Sequence, residues 1–299
     1  MAIDIVGLGY CGWDHLCVLP VIPMDDKVQI LERVEQGGGP SATAIYAAKK
    51  LGVDCAFAGV VGGDAQGRQI VAAFQSIGIN TEGIRIRPDA CSPTAYCWVA
   101  KETGNRSIAW THGSVAPLAP NEINFDNLRN AKLLHLDGHQ TKAAIEAAKF
   151  ARDHGVIVSI DAGTVVQDIE TLLELADIII ASEKFIHNFC HENDPQKASH
   201  SLFAMGSTRF AGVTVGARGS YGFDGENDYF QNAMPVSVVD TTGAGDVYHG
   251  AFIASVVNGK PWRDCMKTAA VTAALKCTKL GGRTGIPTIQ ELQQALSNF

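Results

Sequence analysis

Short apolar runs alternate with longer amphipathic stretches along most of the chain. The apolar runs, each as long as a buried strand, lie at 3–9, 55–62, 131–138, 156–163, 177–182 and 211–219. The amphipathic stretches, with apolar residues at helical spacing, lie at 40–52, 68–78, 142–155, around 171–176 and at 183–191. Such alternation of strand and helix predicts a mostly parallel sheet covered by helices on both faces.

Two segments, 11–35 and 84–113, break this rhythm. Both read as alternating strands with no helix between them, and a turn is expected at 102–105. Because the interruption occurs in two places, we expect the two segments to fold together as a small β-sheet lid rather than as an independent domain. The pattern therefore predicts a single α/β domain over 1–299 with a lid beside its main sheet.

The charge balance excludes one broad class of partner. The 299-residue chain carries 24 Lys and Arg residues against 31 Asp and Glu residues, which gives a net charge of −7. A chain of this charge has no broad basic field to hold nucleic acid or an anionic membrane surface. We therefore expect neither partner, and any anionic ligand has to be held by local groups.

Cysteine usage and the N-terminal sequence bear on the compartment. The eight cysteines form no CxxC pair and no metal-ligand spacing, which is typical of reduced thiols rather than of a disulfide framework. The N-terminal residues lack the basic and apolar regions of a signal peptide, and no run of about 18 apolar residues indicates a membrane span. The sequence predicts a cytoplasmic protein.

The stretch 240-DTTGAGDVYHGAF-252 places three small residues in front of an acid where a helix is expected to begin. The first backbone N–H groups of a helix are unpaired and favour an anion, and Gly243, Ala244 and Gly245 would let a phosphate approach them. Asp246 would repel that phosphate unless it accepts the proton of an attacking hydroxyl. Asp246 is therefore a candidate general base, and an ordinary helix-capping acid is the alternative.

This stretch closely resembles the C-terminal signature of the ribokinase-like carbohydrate kinases, the PfkB family. A second family signature is similar to 37-GGGPSATAIYAAKKLG-52 followed by 59-GVVGGDAQG-67. Two signatures in the family's order are more specific than either one, and the resemblance covers nearly the whole chain. It implies a three-layer α/β/α ribokinase-like fold with a mostly parallel central sheet and a small β-sheet lid. It also implies an enzyme that transfers the γ-phosphate of ATP to a hydroxyl of a small sugar, of ribose or ketohexose type.

The resemblance implies roles for individual residues. Asp246 takes the place of the family's general base, and the backbone of Gly243, Ala244 and Gly245 that of its anion hole. The family commonly has Asn in the sugar-binding helix where this chain has Thr43, so the hydroxyl pattern recognised there is expected to differ. The residues expected to contact the sugar are Asp14, Gly38, Gly39, Thr43 and Asp137, with Lys27 and Arg106 available from the lid.

Shorter matches indicate the nucleotide side. The stretch 214-TVGARG-219 follows an apolar run and matches the family's phosphate-contacting turn. The Gly-rich loop in 275-LKCTKLGGRTGIP-287 is similar to the loop that covers adenine in the family. The residues that the resemblance places near ATP are Ser182, Glu183, Thr214, Gly216, Arg218, Gly219, Gly281 and Gly282.

Two kinds of ion follow from the resemblance. Mg²⁺ accompanies ATP, and Glu183 is the expected group for organising it through water, although the final Glu of the family's Asn-x-x-Glu stretch is missing here. Asp240 and the carbonyl oxygen of Thr242, with carbonyls of 281–285, are the expected ligands of a monovalent cation such as K⁺. Main-chain ligands leave almost no sequence trace, so the K⁺ requirement stays open.

The histidines near these motifs carry weaker signals. His135 and His139 flank Asp137, but their spacing does not by itself supply a closed metal site. A sugar-facing position is the better expectation for Asp137 or His139, at the end of their strand. His249 lies three residues after Asp246, and packing of the helix is its default role.

Alternatives stay open. A nucleoside kinase of the same family would share every motif, with stacking from Trp13 or Trp110 as its sign. A non-catalytic sugar or nucleotide sensor would not need the proton acceptor at Asp246. The chain is also similar to kinases of fructose-type or modified ketose sugars. We expect a neutral sugar, because 134-LHLDGHQ-140 offers no Arg for an anionic group, and we expect a homodimer formed through the lid.

Overall fold

The computed structural model describes residues 3–102 and 106–299. Its strands, in chain order, are β1 (Ile5–Leu8), β2 (Gly12–Leu19), β3 (Glu32–Gly38), β4 (Cys55–Gly62), β5 (Asn80–Arg87), β6 (Thr94–Ala100), β7 (Arg106–Thr111), β8 (Leu133–Leu136), β9 (Ile157–Ala162), β10 (Ile178–Ser182), β11 (Phe210–Thr214), β12 (Ser220–Phe223) and β13 (Asp228–Gln231). Its α-helices are α1 (Pro40–Lys50), α2 (Ala65–Gln75), α3 (Phe125–Arg129), α4 (Thr141–Asp153), α5 (Ile169–Leu175), α6 (Glu183–Phe185), α7 (Pro195–Phe203), α8 (Ala244–Val257), α9 (Trp262–Lys276) and α10 (Ile289–Asn298). None of the helices in these two ranges is long and apolar enough to cross a membrane.

The large sheet runs in the order β13-β12-β11-β10-β9-β8-β1-β4-β5. The strands from β5 to β11 in this order are parallel, and β12 and β13 form an antiparallel edge. The mostly parallel sheet predicted from the strand–helix alternation is confirmed. Because parallel strands end at one edge, the residues that follow β8, β9, β10 and β11 share that edge.

Helices cover both faces of this sheet. Val6 and Leu8 of β1 belong to one buried cluster, which also contains side chains of α4, α5 and α7. Ile5 belongs to the other cluster, which contains side chains of α1, α2, α8 and α9. The division follows from the alternation of side chains along a strand, and it gives the predicted three-layer α/β/α arrangement.

The small sheet runs in the order β3-β2-β6-β7. Its strands come from both of the segments that interrupt the strand–helix pattern. The boundaries differ from those predicted: β3 extends to Gly38, whereas β5 at 80–87 belongs to the large sheet, where Gly83 and Ile84 are buried against β4. Alternation alone could not assign β5, because either sheet would accept its pattern. Residues 103–105 of the expected turn lie outside the described residues.

Two other predicted elements differ in detail from the structure. The helix expected at 183–191 is helical over 183–190, with the single turn α6 continuing as a π-helix at Ile186–Cys190. The strand expected at 211–219 ends at Thr214, because Gly216 and Gly219 adopt left-handed backbone angles, with φ of 60° and 105°, that turn the chain.

Candidate active site

The stretch 240–252 builds the start of helix α8. Gly243 precedes the helix with a φ of 73°, and a Cβ there would lie 3.0 Å from the Cα of Gly282. A Cβ added at Gly245 would meet nothing within 4 Å, so this side of the helix start is open. The open turn and the N-terminal end of a 14-residue helix give an approach for an anion.

Asp246 lies in the first turn of α8, with its side chain only partly exposed. Burial, followed by the negative charge of Asp161, raises the pKa of Asp246 to about 7, and His249 opposes the shift. A carboxyl group with such a pKa can take up a proton from a reacting hydroxyl near neutral pH. An ordinary exposed capping acid would not show this shift.

Asp14 lies on β2, where it pairs with Gln36 of β3, and its carboxyl group lies beside Gly38. A Cβ at Gly38 would come within 2.1 Å of the Oδ2 atom of Asp14, and a Cβ at Gly39 within 2.3 Å of the Tyr10 carbonyl oxygen. The two glycines therefore make room for the carboxyl group and for the backbone beside it. Burial raises the pKa of Asp14 to about 6, and the nearby charge of Arg283 opposes the shift.

Asp137 follows β8 and is buried. Its carboxylate accepts backbone N–H groups of Tyr10 at 2.9 Å, Ser41 at 3.1 Å and His139 at 3.0 Å. Burial raises its pKa, while His139 and these N–H groups oppose the rise. The side chain thus ties together the ends of β1 and β8 and the start of α1, which accounts for its burial. Its contact with a sugar stays a prediction.

Thr43 of α1 contacts Arg283 of the C-terminal loop. The Nε atom of Arg283 donates to the Oγ1 of Thr43 at 3.4 Å, and the guanidinium lies over the rings of Tyr46 and Phe74 at 4.9 and 5.2 Å. A Cβ at Gly37 would lie 2.3 Å from its Nη1. Sequence reasoning missed Arg283, although the Arg inside 281-GGRTG-285 was its visible signal.

For the two residues expected from the lid, the structure describes the whole of Lys27 but only the backbone of Arg106. Lys27 is exposed in the connection between β2 and β3, and its backbone N–H donates to Asp26 at 2.7 Å. The backbone of Arg106 begins β7, and its side chain lies outside what the structure describes. Their contacts with a substrate stay predictions.

A cavity of about 430 Å³ opens beside the start of α8. It brings together several of the predicted nucleotide residues with the open start of α8, and its other walls are largely apolar. Its lining includes Thr214, Gly216, Gly219, Val238, Ala244, Gly245, Ala273 and Ala274. An apolar pocket that ends at a helix N-terminus suits a planar base joined to phosphates.

Three other predicted nucleotide residues lie outside this cavity. Arg218 and Glu183 form an ion pair with each other, and both side chains are exposed. The Oγ of Ser182 accepts the backbone N–H of Phe185 at 3.1 Å and so caps α6. Neither Ser182 nor the ion pair lines the cavity beside α8.

A second cavity of about 630 Å³ opens beside Tyr10 and His139, and Asp14, Asp137 and Asp246 are not among its lining residues. Tyr10, Pro93, His112 and His139 are among its lining residues. The rings of Tyr10 and His139 are 5.5 Å apart, and those of Tyr10 and His112 are 6.1 Å apart. His139 thus lines a cavity, and its contact with a sugar stays a prediction.

Asp240 joins the catalytic stretch to the Gly-rich loop. Its carboxylate accepts the backbone N–H and the hydroxyl of Thr242 at 2.8 and 2.7 Å, and the N–H of Gly281 at 2.8 Å. Burial alone would raise its pKa, but these bonds and the charge of Lys276 hold it below the usual range. The buried ammonium of Lys276 donates to the carbonyl oxygen of Asp240 at 2.7 Å.

A loop centred on Gly282 therefore touches several parts of the site. The side chain of Gln36 on β3 accepts a hydrogen bond from the backbone N–H of Arg283 at 3.2 Å. Leu280 packs against Leu16 and Cys97 of the small sheet. The sequence matched this loop to adenine and to a monovalent cation. The structure connects it also to the lid, because the C-terminal loop and β3 meet across 247 residues of sequence.

Comparison with known proteins identifies the family. Residues 13–289 match the pfkB family carbohydrate kinases. A ribokinase of Haemophilus influenzae is 26% identical over 301 residues, covering 97% of this chain and 97% of that protein. A nucleoside kinase of Methanothermobacter thermautotrophicus is 25% identical over 296 residues, covering 95% of this chain and 92% of that protein.

A solved structure shares the fold. The ribokinase of Arabidopsis thaliana, complexed with ribose and ATP, is similar with a TM-score of 0.87 and 24% identity, covering 99% of each chain. The sequence match spans most of the chain and includes the open turn and the acid at the start of α8. This chain belongs to the PfkB family of carbohydrate kinases.

Proposed function

We propose that this kinase transfers the γ-phosphate of ATP to a hydroxyl of a small sugar, with Asp246 as the general base. The observation that carries the assignment is the position of Asp246: it combines a pKa raised to about 7 with a place at the open start of α8. The family membership and the relatives named as ribokinase and nucleoside kinase support ATP-dependent phosphorylation of an alcohol group.

In the proposed reaction, the acceptor hydroxyl gives its proton to Asp246 as its oxygen attacks the γ-phosphorus. The backbone at Gly243, Ala244 and Gly245 stabilises the charge on the transferred phosphoryl group, because the helix start presents N–H groups and a positive dipole end. Asp14 orients the acceptor by accepting hydrogen bonds from its hydroxyls. The small sheet acts as a lid that excludes water, which would otherwise compete as acceptor.

ATP is proposed to bind in the cavity beside α8. Its apolar walls take the base, and Thr214, Gly216 and Gly219 lie where the phosphates pass toward α8. Gly281 and Gly282 are proposed to close this side through their loop. Arg218 is proposed to contact the nucleotide after it leaves its exposed ion pair with Glu183. Ser182 is proposed to contact the nucleotide through its hydroxyl, which also caps α6.

Mg²⁺ is proposed to accompany ATP. The described residues contain no group of three or more His, Cys, Asp or Glu side chains that could hold a metal ion by themselves. Mg²⁺ usually keeps several waters and is held largely by the substrate's phosphates, so it does not need a dedicated set of protein ligands. When bound, Mg²⁺ supplies neutralising charge to the phosphate oxygens, and Glu183 would hold its water shell.

The proposed monovalent site differs in character. Asp240 and the carbonyl of Thr242 would be ligands, but the carboxylate already accepts three protein hydrogen bonds, and Lys276 places a buried positive charge beside it. The residues thus satisfy one another without a cation. We propose that K⁺ has at most a small effect on turnover.

The acceptor is proposed to be a neutral sugar. Asp14, Asp137 and Asp246 place three acids near one another, beside the single buried guanidinium of Arg283, which is 5% exposed. An anionic substituent would meet mainly carboxyl groups, whereas sugar hydroxyls can donate to them.

A nucleoside is the second candidate acceptor. The 630 Å³ cavity has room for a base as well as a sugar, and the rings of Tyr10 and His112 offer stacking surfaces there. The two tryptophans expected for this role fit less well. Trp13 is buried, and Trp110 is 61% exposed, although its ring contacts that of His112 at 4.5 Å.

A homodimer through the lid is proposed, in a cytoplasmic protein. Tyr96 on β6 and Ile108 and Trp110 on the edge strand β7 are about half exposed, which leaves apolar surface beside an open edge. All eight cysteines are free thiols in the part of the chain that the structure describes, as a reducing compartment would maintain.

The function is tested by measuring ATP consumption with pentoses, ketohexoses, modified sugars and nucleosides, with product identified by mass spectrometry. We expect phosphorylation of at least one neutral sugar. Phosphorylation of nucleosides alone would favour the second candidate. Binding of ligands without turnover on the whole panel would instead indicate a sensor.

A further inference from the structure

A buried acid–histidine pair lies beside the candidate base. Asp161, at the end of β9, and His249, one turn after Asp246 on α8, are 8% and 3% exposed. The Nε2 atom of His249 lies 3.2 Å from Oδ1 of Asp161. The pair therefore places a carboxylate and an imidazole in fixed geometry, shielded from solvent, one helical turn from Asp246.

The surroundings of His249 differ from those of a fully satisfied core histidine. In the described ranges, the Nδ1 of His249 and the Nε2 of His135 have no hydrogen-bond partner. The two rings are 5.7 Å apart. Burial and the neighbouring His249 lower the pKa of His135 to about 3, so His135 is neutral and does not compete for Asp161. The contact with Asp161 is thus the polar contact that orients the His249 ring.

We propose that Asp161 and His249 form a positioning pair that sets how readily Asp246 holds a proton, and with it the pH range in which the base is ready. The inference rests on the proposed role of Asp246. The two members act in opposite directions: the carboxylate of Asp161 favours the protonated form of Asp246, and a positive charge on His249 favours the ionised form. Neither residue is proposed to touch the substrate.

The charged groups around Asp246 are consistent with these opposite effects of Asp161 and His249. Burial alone would raise the pKa of Asp161, but the charge and hydrogen bond of His249 hold it below the usual range, so Asp161 stays ionised. The groups that face Asp246 from the elements packed around it are Asp161 from β9, His249 from α8, Asp137 after β8, Asp14 from β2 and Arg283 from the C-terminal loop. Of these, Asp161 is the strongest charged influence on Asp246.

A purely structural role makes a different prediction. If the pair only ties α8 to β9, substitutions that keep its hydrogen bond would leave the titration of Asp246 unchanged. Asp161→Asn keeps an oxygen that accepts from His249, and His249→Gln keeps an N–H that donates to Asp161. Asp161→Asn removes the carboxylate and His249→Gln removes the titratable imidazole, while both preserve the hydrogen bond, which separates tuning from packing.

The experiment is a ¹³C NMR titration of the Asp246 carboxyl in protein labelled at the aspartate side-chain carboxyls. The signal is assigned from its loss in Asp246→Asn. Asp161→Asn is expected to lower the titration midpoint of Asp246 by about one pH unit or more, and His249→Gln is expected to raise it. Asp177→Asn is the matched control, because Asp177 is a buried acid that lies at the N-terminal end of β10, away from the strand ends near Asp246. It is expected to leave the titration midpoint of Asp246 unchanged.

The pH dependence of kcat/KM gives the second readout. Its acidic limb is expected to move in the same direction as the titration midpoint in each variant. A midpoint that stays in place in both variants, or moves in the same direction in both, overturns the inference. The NMR result does not depend on turnover, so a wild-type chain that phosphorylates no acceptor would overturn the proposed function separately.

Discussion

Replacing Gly38 by Ala tests how the glycines of β3 serve the acceptor site. The added Cβ would lie 2.1 Å from Oδ2 of Asp14 and 2.5 Å from its Cγ and Oδ1, whereas ordinary contact begins near 3.4 Å. The carboxyl group must therefore move by about 1 Å, and a displacement of that size can lower a rate by roughly 100-fold.

The loss can also be worked out from the hydrogen bonds. A bond from a hydroxyl to an ionised carboxylate contributes about 1.5–3 kcal/mol, which corresponds to about a 10- to 150-fold change. We therefore expect Gly38→Ala to lower kcat/KM for the acceptor by about 10- to 100-fold. The KM for ATP is expected to stay unchanged, because the nucleotide cavity is formed by other elements.

The assay is steady-state kinetics on wild type, Gly38→Ala, Asp14→Asn and the double variant. If Gly38 acts through Asp14, the alanine adds little to the effect of Asp14→Asn, so the two losses are not additive. Wild-type kinetics in Gly38→Ala would refute the reasoning. A full further loss in the Asp14→Asn background would show that the glycine acts on something other than Asp14.

Three further predictions concern the rest of the site. The raised pKa of Asp246 makes the native state bind its proton more tightly, so the free energy of unfolding falls as the pH rises from about 4 toward 7. Asp246→Asn removes this titration. Measured by urea denaturation, the variant is expected to have a free energy of unfolding about 1–3 kcal/mol higher at pH 8 and unchanged below about pH 4. Ala273→Leu is expected to narrow the nucleotide cavity and raise the KM for ATP about 10-fold with the acceptor KM unchanged, and an equal rise in both constants would contradict the assignment of the cavity. Replacement of K⁺ by choline is expected to change turnover less than about twofold because Lys276 already lies beside Asp240, and strict K⁺ dependence would contradict this.

The sequence predicted the elements that have a clear period and the residues that lie in motifs. The strand–helix alternation gave the large parallel sheet, since buried parallel strands are continuous apolar runs. It placed residues 84–87, the second half of β5, in the lid region, because neither sheet is favoured by local pattern alone. The motif at 240–252 located Asp246 and the open helix start, because both lie in one continuous stretch.

Residues whose role depends on long-range packing could not be found in this way. Arg283 reaches Thr43 across 240 residues of sequence, and Asp161 meets His249 only where α8 crosses β9. A buried Lys276 beside Asp240 was equally hidden, since a lysine near a helix end is usually solvated. These contacts are set by how the layers pack, which a single chain does not reveal through spacing.

The central claim is that Asp246 takes the proton of the acceptor hydroxyl, and Asp246→Asn tests it most directly. Asparagine keeps nearly the same shape but is a far weaker proton acceptor, so kcat is expected to fall about 100- to 10,000-fold. Affinities for ATP and for the acceptor, measured by calorimetry, are expected to stay close to those of the wild type. A variant that binds both ligands and phosphorylates the acceptor at nearly the wild-type rate would contradict the account.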